Sequence, residues 1–405
     1  MRNHPDHPAP TSPGVLPSPA AAAARPGRPS RLGLLAAILA LSLLVLAAPA
    51  GAMAKEKAAK APHVSGVYEL PQNLVVGGDA LEASTFASAN QRLYVMTIEE
   101  QAAALRHGPP YKTSPIAELT VGGKIKLIKD SLHPTDARWE GIGVGADDKV
   151  WVSASVHGEK THLGVITGSS IKLYPSEDWW AGLLSFGGVT YTVGSGLLTT
   201  HDNRGFGRLN IVPEPQAEFL NGPYVLNGGL VEFGPEYSYA NLPAGISAPP
   251  GAEAEVKVPL QHVPGAPVGV QGSAAMPVQA TTGIWYVDEF TGEVTSEQKV
   301  RPSVLRRWGA SASYRIPGAA EVSDLVRGPD GKPWLLFNKS GRWNSLARVE
   351  ADSKLSYVKA PKGWHFTGGH GSGIITGPGP YLWVAAARGF GENGLEHGAI
   401  VRVSG

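Results

Sequence analysis

The chain has 405 residues, of which 42% are hydrophobic and 17% charged, with no cysteine and a formal net charge of +1. The lack of cysteine excludes disulfides, thiolate catalysis, cysteine-ligated metals and a lipidated N-terminal cysteine. The charge balance excludes the basic excess that binding a phosphate backbone needs, so no nucleic-acid partner is expected.

Residues 1–54 read as an export signal helix with a long Pro- and Ala-rich leader, not as part of the fold. Arg25, Arg28 and Arg31 precede an apolar run at 32–48, and Ala50 and Ala54 end it in an A-x-A-like manner. An uncleaved anchor is the rival reading, because the run approaches the length of a spanning helix. The small residues, with no basic cluster straight after the run, favour cleavage. No twin arginine precedes the run, so the general secretion route and a secreted or cell-surface location are expected, with membrane contact only if the segment stays. The remaining 351 residues carry 31 basic and 33 acidic side chains. Residues 55–63 form a polar leader expected to be flexible.

One domain is expected over 64–405. Residues 64–70, VSGVYEL, alternate as a strand does and precede the first full repeat. Anchor residues then recur on short apolar strands: Tyr94, Trp151, Tyr191, Val231, Trp285, Trp334 and Trp383, spaced 57, 40, 40, 54, 49 and 49 residues apart. A period of about 40–50 residues built from short strands marks a β-propeller. The clearest repeat, 321–361, reads strand, G-P-D-G turn, Trp334 strand, polar hairpin, strand, turn, strand. Residues 141–175 and 373–403 follow the same order. The fourth repeat is weakest, with Val231 as anchor and a Pro/Gly/Ala-rich stretch at about 243–268 that reads as an inserted loop. The last repeat ends in AIVRVSG, a third strand, so the N-terminal strand is expected to complete it and close the ring. The expected fold is therefore all-β, a seven-bladed β-propeller of four-stranded blades.

The repeat GPDGKPWLLFNKSGRWNSLARV, and more loosely GADDKVWVSASVHGEKTHLGVI, resembles the repeat of the virginiamycin B lyase (streptogramin lyase) family, written GPDG-x-x-WF-T-E-x-x-x-x-KIGRI. The resemblance implies a seven-bladed propeller and magnesium-assisted elimination with a histidine base. This chain departs from the family at the Glu ending the WFTE strand: the positions equivalent to its Thr-Glu read Ser153-Ala154 after Trp151, Leu336-Phe337 after Trp334 and Ala385-Ala386 after Trp383.

In an antiparallel meander, successive turns alternate between two ends. The starts of the innermost strands and the second-to-third hairpins therefore share one face, at the channel mouth. By anchor alignment that face receives Glu82, Glu140, Glu321, Asp324 and His370 from strand starts. His157, His201, Asp288, Arg388 and His397 are among those it receives from hairpins. Carboxylates such as Glu140 and Asp324 suit a hard cation, magnesium if the lyase resemblance holds, and a neutral His suits general-base work. His370, in GGHGSG, is the candidate base, where glycines allow close approach of a ligand; a solvated turn is the plainer reading. Glu140, Asp324, Glu82, Trp180 and Arg388 are the candidate ligand contacts. Glu140 and Asp324 have a rival role in bonding backbone N–H groups, Trp180 in packing between blades. HGEKTH at 157–162 lacks a zinc spacing and reads as an exposed hairpin. RGFG occurs at 204–207 and 388–391; its Arg can clamp a carboxylate or phosphate, while its Phe can cover the hairpin. No phosphate-binding glycine loop or serine nucleophile elbow is present.

Three functions remain open on the sequence. The first is an exported propeller that binds a small molecule, glycan or protein at the channel mouth. The second is a magnesium-assisted lyase or hydrolase resembling virginiamycin B lyase. The third is a non-catalytic cell-surface scaffold.

Overall fold

The structure is a computed structural model. It describes residues 61–71, 74–77, 84–99, 115–128, 137–156, 162–175, 182–193, 198–202, 205–214, 221–226, 228–233, 238–242, 244–259, 261–262, 273–275, 277–290, 304–308, 313–316, 321–338, 344–350, 354–367, 373–389 and 397–405. The export segment expected at 1–54 lies outside the described residues. Among the described residues every regular element is a strand, and no helix is long and apolar enough to cross a membrane.

Among the described residues the strands fall into successive antiparallel meanders, taken in chain order. Two strands come first, β1 (His63–Glu69) and β2 (Leu74–Val76). The first meander has β3 (Phe86–Ala89), β4 (Arg92–Val95), β5 (Thr97–Glu99, which pairs with β2), β6 (Ile116–Thr120) and β7 (Ile125–Ile128). The second has β8 (Ala137–Val144), β9 (Val150–Val156), β10 (His162–Thr167) and β11 (Ser170–Pro175). The third has β12 (Gly182–Phe186), β13 (Val189–Val193), β14 (Leu198–Asp202) and β15 (Gly205–Glu214). The fourth has β16 (Asn221–Leu226), β17 (Gly229–Phe233) and β18 (Ser238–Leu242), followed in sequence by β19 (Glu253–Pro259) and β20 (Gln261–His262). In the fifth, β21 (Ser273–Ala275) and β22 (Val278–Ala280) both pair with β23 (Gly283–Phe290), then β24 (Val304–Arg307) and β25 (Ser313–Arg315) follow. The sixth has β26 (Glu321–Arg327), β27 (Pro333–Asn338), β28 (Asn344–Val349) and β29 (Leu355–Val358). After a short β30 (His365–Phe366), the seventh has β31 (Ile374–Thr376), β32 (Leu382–Arg388) and β33 (His397–Ser404). Its fourth strand is β1, antiparallel to β33 from His63–Ser404 to Glu69–Ala399.

Each anchor sits on the second strand of its meander and packs against the next meander in sequence. Tyr94 joins Trp139 and Val152; Trp151 joins Leu183; Tyr191 joins Leu230 and Leu242. Val231 joins Ile284, Trp285 joins Val322 and Leu325, and Trp334 joins Phe366 and Val384. Trp383, in the last meander, shares a cluster with Phe86, Leu93 and Val95 of the first. Successive small meanders stacked face to face in this way are the organisation of a β-propeller.

The stretch at 243–268, expected as a loop, carries strands. β19 adds to the outer edge of β15 in parallel, from Arg208–Glu253 to Glu214–Pro259, and β20 pairs with β18. Ala248, Val256 and Val258 enter the core between the third and fourth meanders, and Tyr191 Oη donates to the Ile246 carbonyl at 2.6 Å. Alternation at β19 (Ala254, Val256 and Val258 inward; Glu253, Glu255 and Lys257 exposed) is what makes a strand of it. The segment is held tightly: a Cβ on Gly207 would stand 2.3 Å from the Ala248 carbonyl and 2.5 Å from that of Pro249. Backbone cannot swing aside as a side chain can. Gly207→Ala is expected to destabilise by about 2 kcal/mol, read as a lowered urea midpoint.

Two turns share one construction. Gly145 and Gly328 each donate N–H to a Lys carbonyl four residues on, at 2.8 Å. Asp147 accepts from Lys149 N and Trp151 Nε1, both at 3.2 Å; Asp330 accepts from Lys332 N at 3.2 Å and Trp334 Nε1 at 3.1 Å. The turn closes in the left-handed region, at Asp148 (φ 57°) and Gly331 (φ 76°), where Asp and Gly are among the tolerated residues. The Asp thus fixes turn and buried indole together.

Candidate functional site

The register fixes which residues share an end of each meander. Ala137 lies opposite Val156, Glu321 opposite Asn338, and Arg388 opposite His397. These rows mark the face of strand starts and second-to-third hairpins. The two Asp-containing turns lie at the opposite ends of their meanders.

On the strand-start face, Glu140 and Asp324 are not equivalent. Both innermost strands carry a β-bulge, between Trp139 and Gly141 in β8 and between Val322 and Asp324 in β26. Counted back from the matched turn glycines Gly145 and Gly328, Glu140 corresponds to Ser323, and Asp324 to Gly141. Glu140 is buried at its bulge, while Asp324 is half-buried opposite Leu336. At the other bulge the Ser323 hydroxyl accepts from Asn344 Nδ2 at 3.2 Å. The acidic pair is therefore not a repeated ligand set, and among the described residues no group of three or more His, Asp or Glu is placed to hold a metal. His370, Glu82 and Trp180 lie outside the described residues.

Arg388 ends β32. Its guanidinium carbon stands 4.6 Å from the centroid of the Trp364 ring, and Nη2 lies 2.8 Å from Glu69 Oε2 at the end of β1. Trp364 is buried, and its backbone N–H donates to the Pro361 carbonyl at 3.0 Å. β30 follows at once, pairing with Asn344 of β28 and with Ala386 and Ala387 of β32, which joins the sixth and seventh meanders and β1 into one nine-stranded sheet. Sequence reasoning found Arg388 but missed Trp364 and Glu69. The available signal was a Trp between two meanders that matches no anchor spacing.

At the turn end of the sixth meander, Arg348, Lys332, Asp330 and Glu350 are tied into one ion network. Arg348, cross-strand from Trp334, is buried and pairs with Asp330 (3.3 Å) and Glu350 (2.8 Å); Lys332 holds the other Glu350 oxygen at 2.7 Å. Burial pushes the Glu350 carboxyl up, but hydrogen bonds from Lys332, Ser356 and Arg348, with the Arg348 charge, outweigh it and hold the group at about 2. Burial likewise raises Asp147, and bonds from Lys149 and Trp151 bring it below the usual range. The sign follows from linkage. A carboxyl depressed on folding contributes stability that is complete above its unfolded value near 4.5 and lost as pH falls towards 2. Wild type is expected to lose up to about 3 kcal/mol more than Glu350→Gln between pH 5 and 2 in acid-dependent urea titrations.

No protein-family model matches the chain, and no curated protein matches it. Among solved structures it is similar to YCF48 bound to D1 peptide, with 10% identity, 84% of this chain and 94% of that chain covered, and a TM-score of 0.47. It is also similar to YCF48 from Cyanidioschyzon merolae, at 11% identity, 85% and 98% coverage and TM-score 0.46. BamB from Moraxella catarrhalis gives 10%, 84% and 97%, and TM-score 0.32. These likenesses carry no functional argument; the propeller organisation stands on the strand order and the clusters between meanders.

Proposed function

We propose that the chain is an exported, seven-bladed propeller closed into a ring by β1, and that it binds a partner on the strand-start face. Closure is supported by the cluster that Trp383 shares with Leu93 and Val95, and by β1 as the fourth strand of the last meander. The single observation that carries the binding role is the contrast between the two ends. Asp147, Asp330 and Glu350 are spent on turns, indoles and ion pairs at one end. The other carries Arg388, held in an ion pair with Glu69 that is open to water, beside the exposed His365 and His397. A protein, glycan or small molecule with polar groups is the class of partner this face suits.

The test is a hydrogen-exchange footprint of ligands found by thermal shift against peptide and glycan panels. Protection is expected at the ends of β9, β27 and β32 and at the starts of β8 and β26. Protection confined to the Gly145–Lys149 and Gly328–Lys332 turns, or to β19, overturns the reading.

A further inference from the structure

Resting on that reading of the strand-start face, we infer that Arg388 is an oxyanion-recognition residue and that Glu69 is its internal stand-in ligand. The guanidinium is placed before any ligand arrives. It lies over Trp364, which is itself buried and held through its backbone N–H to Pro361. A stacked guanidinium keeps its donor fork in plane and loses little freedom on binding a carboxylate or phosphate. His397 is the cross-strand neighbour of Arg388 and is exposed, so a second nitrogen donor stands on the same row.

The group now on Arg388 is a carboxylate from the chain itself. Among the described residues, the ion pair runs through one guanidinium nitrogen, Nη2, to one oxygen of Glu69. The two side chains are 42% and 54% exposed. A pair that open to water is weakly held, so an incoming oxyanion that engages the whole fork displaces Glu69 at little cost. Glu69 then acts as a competitor that keeps the site occupied between ligands. Displacing it also frees the end of β1, where Leu70 N–H bonds the Gly398 carbonyl at 2.9 Å. The ligand chemistry is an oxyanion, from either a peptide carboxylate or a phosphate ester.

The test titrates the full chain with inorganic phosphate and, separately, with N-acetylglycine, following the Trp364 indole N–H resonance identified by its loss in Trp364→Phe. Glu69→Gln is expected to bind the preferred anion about fivefold more tightly than wild type, since it removes both the competitor and a repulsive charge. Arg388→Lys is expected to weaken binding at least about tenfold, because an ammonium gives neither fork nor stack. Whichever probe binds more tightly identifies the carboxylate or the phosphate source. Thermal midpoints of both variants should stay within about 3 °C of wild type, which separates binding loss from unfolding. No binding of either anion, or equal binding by wild type and Glu69→Gln, overturns the inference. Anion binding at Trp364 without any footprint on the strand-start face would leave this site standing and remove the broader binding role.

Discussion

Replacing Arg348 by valine is expected to destabilise the protein by about 3 kcal/mol, whereas the double replacement Arg348→Val with Glu350→Thr should cost only about 1 kcal/mol. The second meander already contains the double variant's arrangement. Trp151 faces Val165 across the strands where Trp334 faces Arg348, and Thr167 stands where Glu350 does. Its turn Asp still accepts from the indole, and Lys149 pairs with Asp147 at 2.7 Å instead of with a third-strand carboxylate. The turn and the indole therefore do not need the arginine. The sixth meander needs it because it carries two carboxylates, Asp330 and Glu350, at 18% and 21% exposure. Arg348 and Lys332 neutralise them. Removing Arg348 alone leaves an uncompensated negative charge at a largely desolvated position, and that cost exceeds the value of the lost contacts. Removing Glu350 as well restores the balance. Urea midpoints of the two single variants and the double variant close the cycle. If the double variant is as unstable as the sum of the singles, the ion network is not coupled.

The repeat was legible in the sequence because its signal is local. A Gly, an Asp two residues on and a Trp four residues after the Asp bring an indole, an acceptor and a turn into one hydrogen-bonded unit, and that unit needs no distant partner. The Val231 meander was harder to read because its support comes from elsewhere. Its strand packs on Ile284 of the next meander, and the cluster between the third and fourth meanders is filled by residues such as Ala248 and Val258 of the Pro- and Gly-rich stretch. Composition suggested a loop there; a parallel edge strand formed because β15 is ten residues long and offers a free edge. The candidate site was least legible. A bulge adds one residue to a strand and moves every side chain before it to the other face. Nearness to a strand start groups Glu140 with Asp324, but counting from Gly145 and Gly328 sets them one position apart, Glu140 within its bulge and Asp324 just after the equivalent one.

Deleting residues 62–70, which contain β1, is expected to cost more stability than any of these substitutions. β1 supplies the ladder on β33 and half of the cage around Arg402. That guanidinium lies 5.6 Å from the Tyr68 ring and 4.5 Å from the Tyr381 ring, and donates to the Ser65 carbonyl and, across to the first meander, to the Val121 carbonyl at 2.9 Å. Tyr68 also lies 5.7 Å from Trp383, in the cluster shared by the last and first meanders. Without β1, Arg402 keeps its charge but loses two partners, and the eight-residue β33 becomes an open edge. A ladder of several hydrogen bonds at roughly 1 kcal/mol each, together with the Tyr68 contacts, amounts to more than about 5 kcal/mol. That is comparable to the whole stability of many domains, so the truncated chain is expected to self-associate through β33. A synthetic peptide of residues 61–71 added during refolding should restore a monomer with the wild-type urea midpoint. Arg402→Met should lie between the two, weakening the latch without removing the strand. A truncated chain that stays monomeric at an unchanged midpoint would mean that the ends of the propeller are held by contacts other than β1, and the ring-closure reading would fall.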